Sequence, residues 1–419
     1  MAVGFKREIS SHVEEYVDEA VELAKELIEI PTVNPPGENY EECARLLTAK
    51  AREYGLEATT VRVPMEQLPK LTPWGVDLPR VNVLARWGMA EGPVFNIHAH
   101  YDVVPAGEGW TTEPFRGVVR EGRLYGRGAS DMKGGLAASL VVAKALKDLK
   151  IRPWGSLVYS FSPDEETGGK AGAGFLLSGG YLKADMSVIP EPSGVDNVWN
   201  SHKGALWLEV ILHGKAAHAS LPHLGVNAFE AMLHVASAVN KMKEELPTRI
   251  SEYHSLRGPE RPSINVGGMC SSGPAVNVIP EKASFTVDRR LIPEENMDDV
   301  EGELKTVIED AARSAGVSVE IKTLLRAEHT HISKDAFICA TLSRNVEDVL
   351  GKTPTFTLCP GFLDMRYFVK AGIQCVCYGP GTLDVAHMRD EYVKLEDIKA
   401  FMKVLALTVY DVLALYSPY

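Results

Sequence analysis

The sequence predicts an α/β protein in two parts, a mixed sheet covered by helices and an inserted ferredoxin-like unit. Three observations carry this. At 419 residues the chain exceeds what one hydrophobic core usually holds. Apolar strand-like runs alternate with helical periodicity at both ends of the chain, which argues for a layered α/β domain. Near residue 202 the order changes to βαββαβ, the split unit of ferredoxin-like domains. The expected division is therefore 1–201 with 325–419 as one discontinuous domain, and 202–324 as the insertion.

In chain order, SSHVEEYVDEAVELAKELIEI places Val13, Tyr16, Val17, Ala20, Leu23, Ala24, Leu27 and Ile28 at helical spacing, with Ser11 and Glu14 in a capping-box pattern. YEECARLLTAKAREYG predicts a second helix stopping at Gly55. NVLARW, VFNIHAH, SLVYSFS and MSVIPE read as strands, and the Pro-rich VPMEQLPKLTPWGVDLP as a long surface loop bordering the site. In the insertion, LWLEVILHG, SINVGGMC, ASFTVDRRLI and VSVEIKTLL are strands, separated by helices through LGVNAFEAMLHVASAVNKMKEEL and MDDVEGELKTVIEDAARSAG. KDAFICATLSRNVEDVLG and LEDIKAFMKVLALTVYDVLALY are helical, with IQCVCYG a buried strand between them. No internal repeat is present.

Composition narrows the function classes. A formal charge of −12 with no basic cluster disfavours nucleic acid and anionic membrane surfaces, and favours a small-molecule substrate. No stretch approaches the roughly 18 uninterrupted apolar residues of a membrane span, and the start lacks a signal peptide's apolar run, so a cytoplasmic address is expected. The six cysteines show neither CxxC spacing nor disulfide-framework density and are expected to be reduced and mostly buried.

Five segments supply metal-ligand residue types at strand ends or in the loops after them: HAHYDVVP, GRGASDMKGG, PDEETGG, IPEPS and AHMRDE. In FNIHAH, His98 and His100 share a strand face, and His100, nearer the loop, is the better ligand. Asp102 can accept its second ring proton, although a His-x-Asp pair also occurs as a plain core hydrogen bond. Asp131 lies in a Gly-rich loop before a helix, where it can bridge two metals or cap the helix. Glu165 and Glu166 are adjacent like charges, as in a solvated turn or in a site where one ligates a metal and the other moves a proton. Glu191 and His387 complete a mixed N/O donor set without thiolates, which suits two Zn2+ or Co2+ ions in a catalytic centre.

All five motifs, in this order and with a βαββαβ insertion, resemble the co-catalytic zinc peptidases and deacylases of the M20 type. That family includes acetylornithine deacetylase, succinyl-diaminopimelate desuccinylase, aminoacylase-1 and the glutamate carboxypeptidases, and the likeness runs over nearly the whole chain. The resemblance implies that His100, Asp131 and Glu191 hold one zinc, and Asp131, Glu166 and His387 the other. It makes Glu165 the general base, has Asp102 orient His100, and makes the insertion a lid and dimerisation domain. GKAAHASLP resembles the segment whose His stabilises the oxyanion, here His218, a residue that by itself reads equally as a surface histidine. PAVNVIP and SFTVDRRLIPEE offer Asn277 and Arg290 for the substrate's polar backbone and carboxylate. In PGFLDMRYF, Gly361, Asp364 and Arg366 match the family, whereas Phe362 and Leu363 replace smaller polar residues through packing or a more apolar pocket.

The function this implies is removal of the acyl group from an N-acyl amino acid, by a homodimer joined through the lid. The alternative within the family is a dipeptidase or metallocarboxypeptidase acting on short peptides. A metal-binding descendant without activity is a third reading, and Glu165 beside the full ligand set argues against it.

Overall fold

The computed structural model describes residues 2–414 and divides into two compact units, Met1–Asn200 with Ile332–Thr357 and Leu363–Tyr419, and Ser201–His331 with Leu358–Phe362. The first is an α/β unit around a nine-stranded mixed sheet. Seven of its nine strands run Glu57–Arg62, Val81–Gly88, Ser156–Ser162, Val94–His100, Met186–Ile189, Gln374–Cys377 and Asn197–His202 across the sheet. The middle four are mutually parallel, and their neighbours on either side are antiparallel. Parallel strands covered on both faces need apolar side chains throughout. VFNIHAH is accordingly buried at every position but its first, and MSVI throughout.

The opening helical pattern is two helices, Ala2–Glu14 and Val17–Ile28. Ser11 lies inside the first, so the expected capping box does not start a helix, and the second begins after Tyr16 with Asp18 and Glu19 in its first turn. The break has a packing reason: the first helix lies against Leu395–Ala414, the second against Lys133–Asp148. Lys133, fully buried, donates from Nζ to Leu27 O and Ile30 O at 2.8 and 2.7 Å, satisfying carbonyls at the end of the Val17–Ile28 helix. The Pro-rich stretch is not loop throughout; it contains one turn of helix, Leu68–Leu71, with Leu68 buried. The closing helix is described to Ala414, and the last two residues expected in it, Leu415 and Tyr416, lie outside the described residues.

The second unit has a four-stranded antiparallel sheet ordered Ser263–Ser272, Lys282–Leu291, Gly204–His213, Ser318–Ala327. Numbered by sequence this order is 2-3-1-4, the ferredoxin-like arrangement of a βαββαβ chain. Helices Ala228–Lys241 and Met297–Ser314 cover one face, closing a core of Leu206, Leu208, Val210, Val235, Phe285 and Leu304 among others. Both helices start on asparagine caps, Asn227 and Asn296, whose side-chain oxygens accept from the first free N–H groups. No helix among the described residues is long and apolar enough to cross a membrane.

Candidate metal centre

The four parallel strands deliver their carboxyl ends to one place, where open α/β sheets bind ligands. His100 is the last residue of its strand and stands opposite Ser162, so the turn carrying Glu165 and Glu166 begins beside it. Glu191 follows the strand on the other side, and His387 follows Gln374–Cys377. Asp131 precedes the helix Lys133–Asp148; its side chain makes no cap, the N-cap position being Met132. This helix comes close because position 135 is glycine: a Cβ there would collide with the Pro190 carbonyl oxygen beside Glu191.

Two trios result, His100 with Asp131 and Glu191, and Asp131 with Glu166 and His387, each with its donor atoms within 4.8 Å of one another. Asp131 belongs to both. Its Oδ1 lies 3.1 Å from His100 Nε2, its Oδ2 3.4 Å from His387 Nε2. Glu191 Oε1 is 3.8 Å from His100 Nε2, and both carboxylate oxygens of Glu166 are 3.1 Å from His387 Nε2. Glu165 differs from its neighbour: it is buried, and its Oε1 has no hydrogen-bond partner.

The electrostatics fit cations. Burial, reinforced by the charges of Asp364, Glu191 and Glu166, pushes the Glu165 carboxyl well above the usual carboxylate range against the pull of His100. Burial does the same to Glu191, whose Oε1 also has no hydrogen-bond partner. The Glu166 charge and the Asp131 hydrogen bond raise His387 to about 11 against its partial desolvation. His100 rises well above its ordinary value because hydrogen bonds to Asp102 and Asp131 outweigh its desolvation. Asp131, against its own burial, is held low by the two imidazoles. Divalent cations placed among these groups would offset the carboxylate charge and supply partners to the oxygens that have no hydrogen bond.

Asp102 is fully buried and serves four neighbours. Its carbonyl oxygen is 3.1 Å from His100 Nδ1, nearer than its carboxylate at 3.5 Å. The carboxylate instead accepts the backbone N–H groups of Glu165 and Glu166, each at 3.2 Å, and the Asn34 amide at 2.9 Å. Sequence reading missed the further supports. Asp164, at φ 67°, is held by Arg80 Nε at 2.8 Å and the Tyr40 hydroxyl at 3.0 Å. Arg80 also donates to the carbonyls of Pro36, Trp74, Gly75 and Leu78, so the Pro-rich stretch is tied to the residue before Glu165. His98, the other histidine of FNIHAH, pairs with Asp364 at 3.0 Å and Ser160 at 2.9 Å, deep in the sheet. An acid inside a quoted motif, Asp164 in PDEETGG and Asp364 in PGFLDMRYF, was the available signal; nothing local marks Arg80.

Arg366, expected at the substrate, is buried and donates to Leu363 O and Gly168 O, both at 2.6 Å, bracing the turn after Glu166. Leu363 is buried in the same unit. In the second unit, His218 and Asn277 come together at two short paired strands, Ala217–His218 and Val278–Ile279: His218 faces Val278, and Ala219 N–H donates to Asn277 O, in the turn before the second, at 3.0 Å. Both are exposed, and His218 Nδ1 lies 2.7 Å from Ser220 Oγ. Arg290 grips Asp288 with Nε–Oδ1 and Nη2–Oδ2 distances of 2.9 and 3.0 Å and lies over the Phe362 ring. Phe362 packs edge-on to Trp207 beside Ala205, Leu325 and Ala327. Gly361 sits on the same short segment, its nearest neighbour the Cys359 sulfur. Cys270 is exposed and the other five cysteines are buried.

The chain is similar to several known proteins. The chain is 25% identical over 408 residues to an uncharacterized metallohydrolase of Methanocaldococcus jannaschii, covering 93% of this chain and 98% of the relative. It is 29% identical over 339 residues to a probable succinyl-diaminopimelate desuccinylase of Staphylococcus aureus, covering 75% and 82%. A di-peptidase structure from Saccharomyces cerevisiae superposes with a TM-score of 0.82 at 18% identity, covering 99% of both chains, a likeness of fold. Residues 97–411 match Peptidase family M20/M25/M40, well over half of the sequence, and the chain belongs to that family.

Proposed function

We propose that this M20 metallohydrolase removes the acyl group from N-acyl amino acids of the acetylornithine or succinyl-diaminopimelate type, using two Zn2+ ions for which Co2+ can substitute. The observation that carries the reading is Asp131, whose two oxygens face different imidazoles and make it the shared member of both trios. His100 and Glu191 would hold one ion, Glu166 and His387 the other. Bound there, such ions supply Lewis-acid polarisation of the scissile carbonyl and lower the pKa of attacking water.

Glu165 takes the proton from that water. Its buried carboxylate, without a hydrogen-bond partner on Oε1, has the raised proton affinity a general base needs. After attack it returns the proton to the departing nitrogen, giving a carboxylic acid and a free amine with no covalent enzyme intermediate. Asp102 holds the Glu165–Glu166 turn through both backbone N–H groups, which keeps the base and its ligand neighbour at fixed spacing. His218 is proposed to donate to the oxyanion, and Asn277, Arg290 and Gly361 to contact substrate, with Arg366 supporting the substrate site, by the family resemblance. For Arg290 that requires exchange of Asp288 for a substrate carboxylate, and Arg366 would act through the turn it braces.

A dipeptidase or carboxypeptidase with the same machinery is the second reading, favoured by the likeness to a di-peptidase fold. N-acetyl amino acids, N-succinyl-diaminopimelate and dipeptides assayed with Zn2+ or Co2+ separate the two. Preference for dipeptides would overturn the deacylase assignment. Glu165→Gln should lower kcat about 10²- to 10⁴-fold while keeping both ions, and wild-type turnover would remove it as the base.

Dimerisation is proposed through the lid unit. Leu221, Leu224, Phe229 and Leu233 are 40–54% exposed along and just before the helix Ala228–Lys241, and Phe229 and Leu233 share a helix face. Leu233→Glu should convert a dimer to a monomer by light scattering; a monomeric wild type would refute the dimer.

A further inference from the structure

Outside the ligands themselves, one buried ion pair joins the two segments that carry Asp131 and His387. Glu391, fully buried, ends the AHMRDE motif four positions after His387. Its Oε1 accepts three backbone N–H groups of the GRGASD loop, from Gly128 at 3.1 Å, Ser130 at 2.9 Å and Asp131 itself at 3.0 Å. Its Oε2 receives Arg127 Nη1 at 2.5 Å. Arg127, 1% exposed, reaches back with Nη2 to His387 O and Nη1 to Met388 O, both at 3.3 Å. The same guanidinium holds Pro105 O and Ala106 O, on the segment that follows Asp102.

These contacts cross one another. The acid comes from the His387 segment and binds the backbone of the Asp131 loop; the base comes from the Asp131 loop and binds the backbone of the His387 segment. Three N–H dipoles converging on one oxygen form a nest that a carboxylate fills better than any neutral acceptor. The clamp is needed because His387 stands at φ 61° and Asp390 at φ 54°, a left-handed backbone costly for non-glycine residues unless its surroundings impose it. No strand or helix holds His387: its side chain is about half exposed, on a segment without regular structure.

We infer that Arg127 and Glu391 are positioning residues that set the Asp131-to-His387 spacing, so that this pair governs affinity for the ion held by Asp131, Glu166 and His387 more than for the ion held by His100, Asp131 and Glu191. The inference rests on the dinuclear reading above. Residues around metal ligands that act this way typically change metal affinity 10- to 100-fold when altered.

The test is stepwise titration of metal-free protein with Zn2+ by calorimetry, with the absorption spectrum of Co2+-loaded protein as a second readout. Wild type, Glu391→Gln and Arg127→Lys are compared, with unfolding midpoints of the metal-free forms measured alongside. Wild type should bind two ions. Glu391→Gln should keep the tighter site within about threefold and weaken the second at least tenfold, with activity recovering as free Zn2+ is raised; Arg127→Lys should do the same to a smaller degree. Two wild-type affinities in both variants, or an equal loss at both sites tracking a fall in midpoint, would overturn the clamp while leaving the dinuclear centre intact. A wild type binding fewer than two ions would overturn the dinuclear reading and the clamp with it. Should Glu391→Gln fail to fold, Arg127→Lys alone decides, since it keeps the buried charge.

Discussion

His100 and Glu191 stand at the ends of parallel strands and are 1% and 2% exposed, whereas the His387 side chain is 49% exposed on an irregular segment. The first half of the centre inherits its geometry from the sheet: strand spacing and register put an imidazole beside two carboxylates. The second half inherits little from regular structure. Its histidine is placed by hydrogen bonds to backbone carbonyls and by one buried ion pair, contacts that are individually modest. The difference teaches that a two-metal site can pair a preorganised ligand set with an adjustable one. On the dinuclear reading, the adjustable set would be where affinity for the second ion, and hence the active fraction, is tuned.

The strongest way to break this comparison is at the residue both halves share. Asp131→Asn should abolish turnover and remove both ions, read by metal content after dialysis; retention of two ions would mean the halves do not depend on a common bridge. Next, His100→Ala and His387→Ala should behave asymmetrically. His100→Ala should lose both ions, because Asp131 and Glu191 alone make a poor site, while His387→Ala should retain one. Equal losses would erase the distinction between the halves. Chelation of wild type should then lower the unfolding midpoint, because ions that bind only the folded state stabilise it by about 4 kcal/mol at a thousandfold excess over Kd. His387→Ala should show roughly half that response, and no shift on chelation in either protein would contradict a folded-state metal centre.

Smallest is Asp102→Asn. The amide keeps shape but loses the anionic acceptor for the Glu165 and Glu166 N–H groups, so kcat should fall about 10- to 100-fold with both ions bound. Loss of an ion instead of rate would assign Asp102 to His100 alone.

Much of the α/β frame and the residue types of the ligand set were legible because each depends on local pattern. Buried parallel strands need unbroken apolar runs, ferredoxin-like units need a fixed order of elements, and ligands cluster where such strands stop. The supports were harder to read. Arg80 and Asp164 lie 84 positions apart and Arg127 and Glu391 264 apart, so no periodicity links them. Arg366 illustrates the reverse: its motif suggested substrate, yet its guanidinium is taken up by Leu363 O and Gly168 O, a partnership visible only once the chain has folded.

The sequence by itself therefore determined the chemistry available to this protein, an Asp, three Glu and two His in short motifs at strand ends, because ligand types and strand periodicity are properties of neighbouring residues. Only the tertiary structure decided that Asp131 faces two imidazoles at once, that the Asp102 carboxylate holds the Glu165 turn while its carbonyl faces His100, and that Glu391 ties two distant loops together. Those outcomes depend on distances between segments far apart in the chain, which are set by how sheet, helices and buried charges pack together.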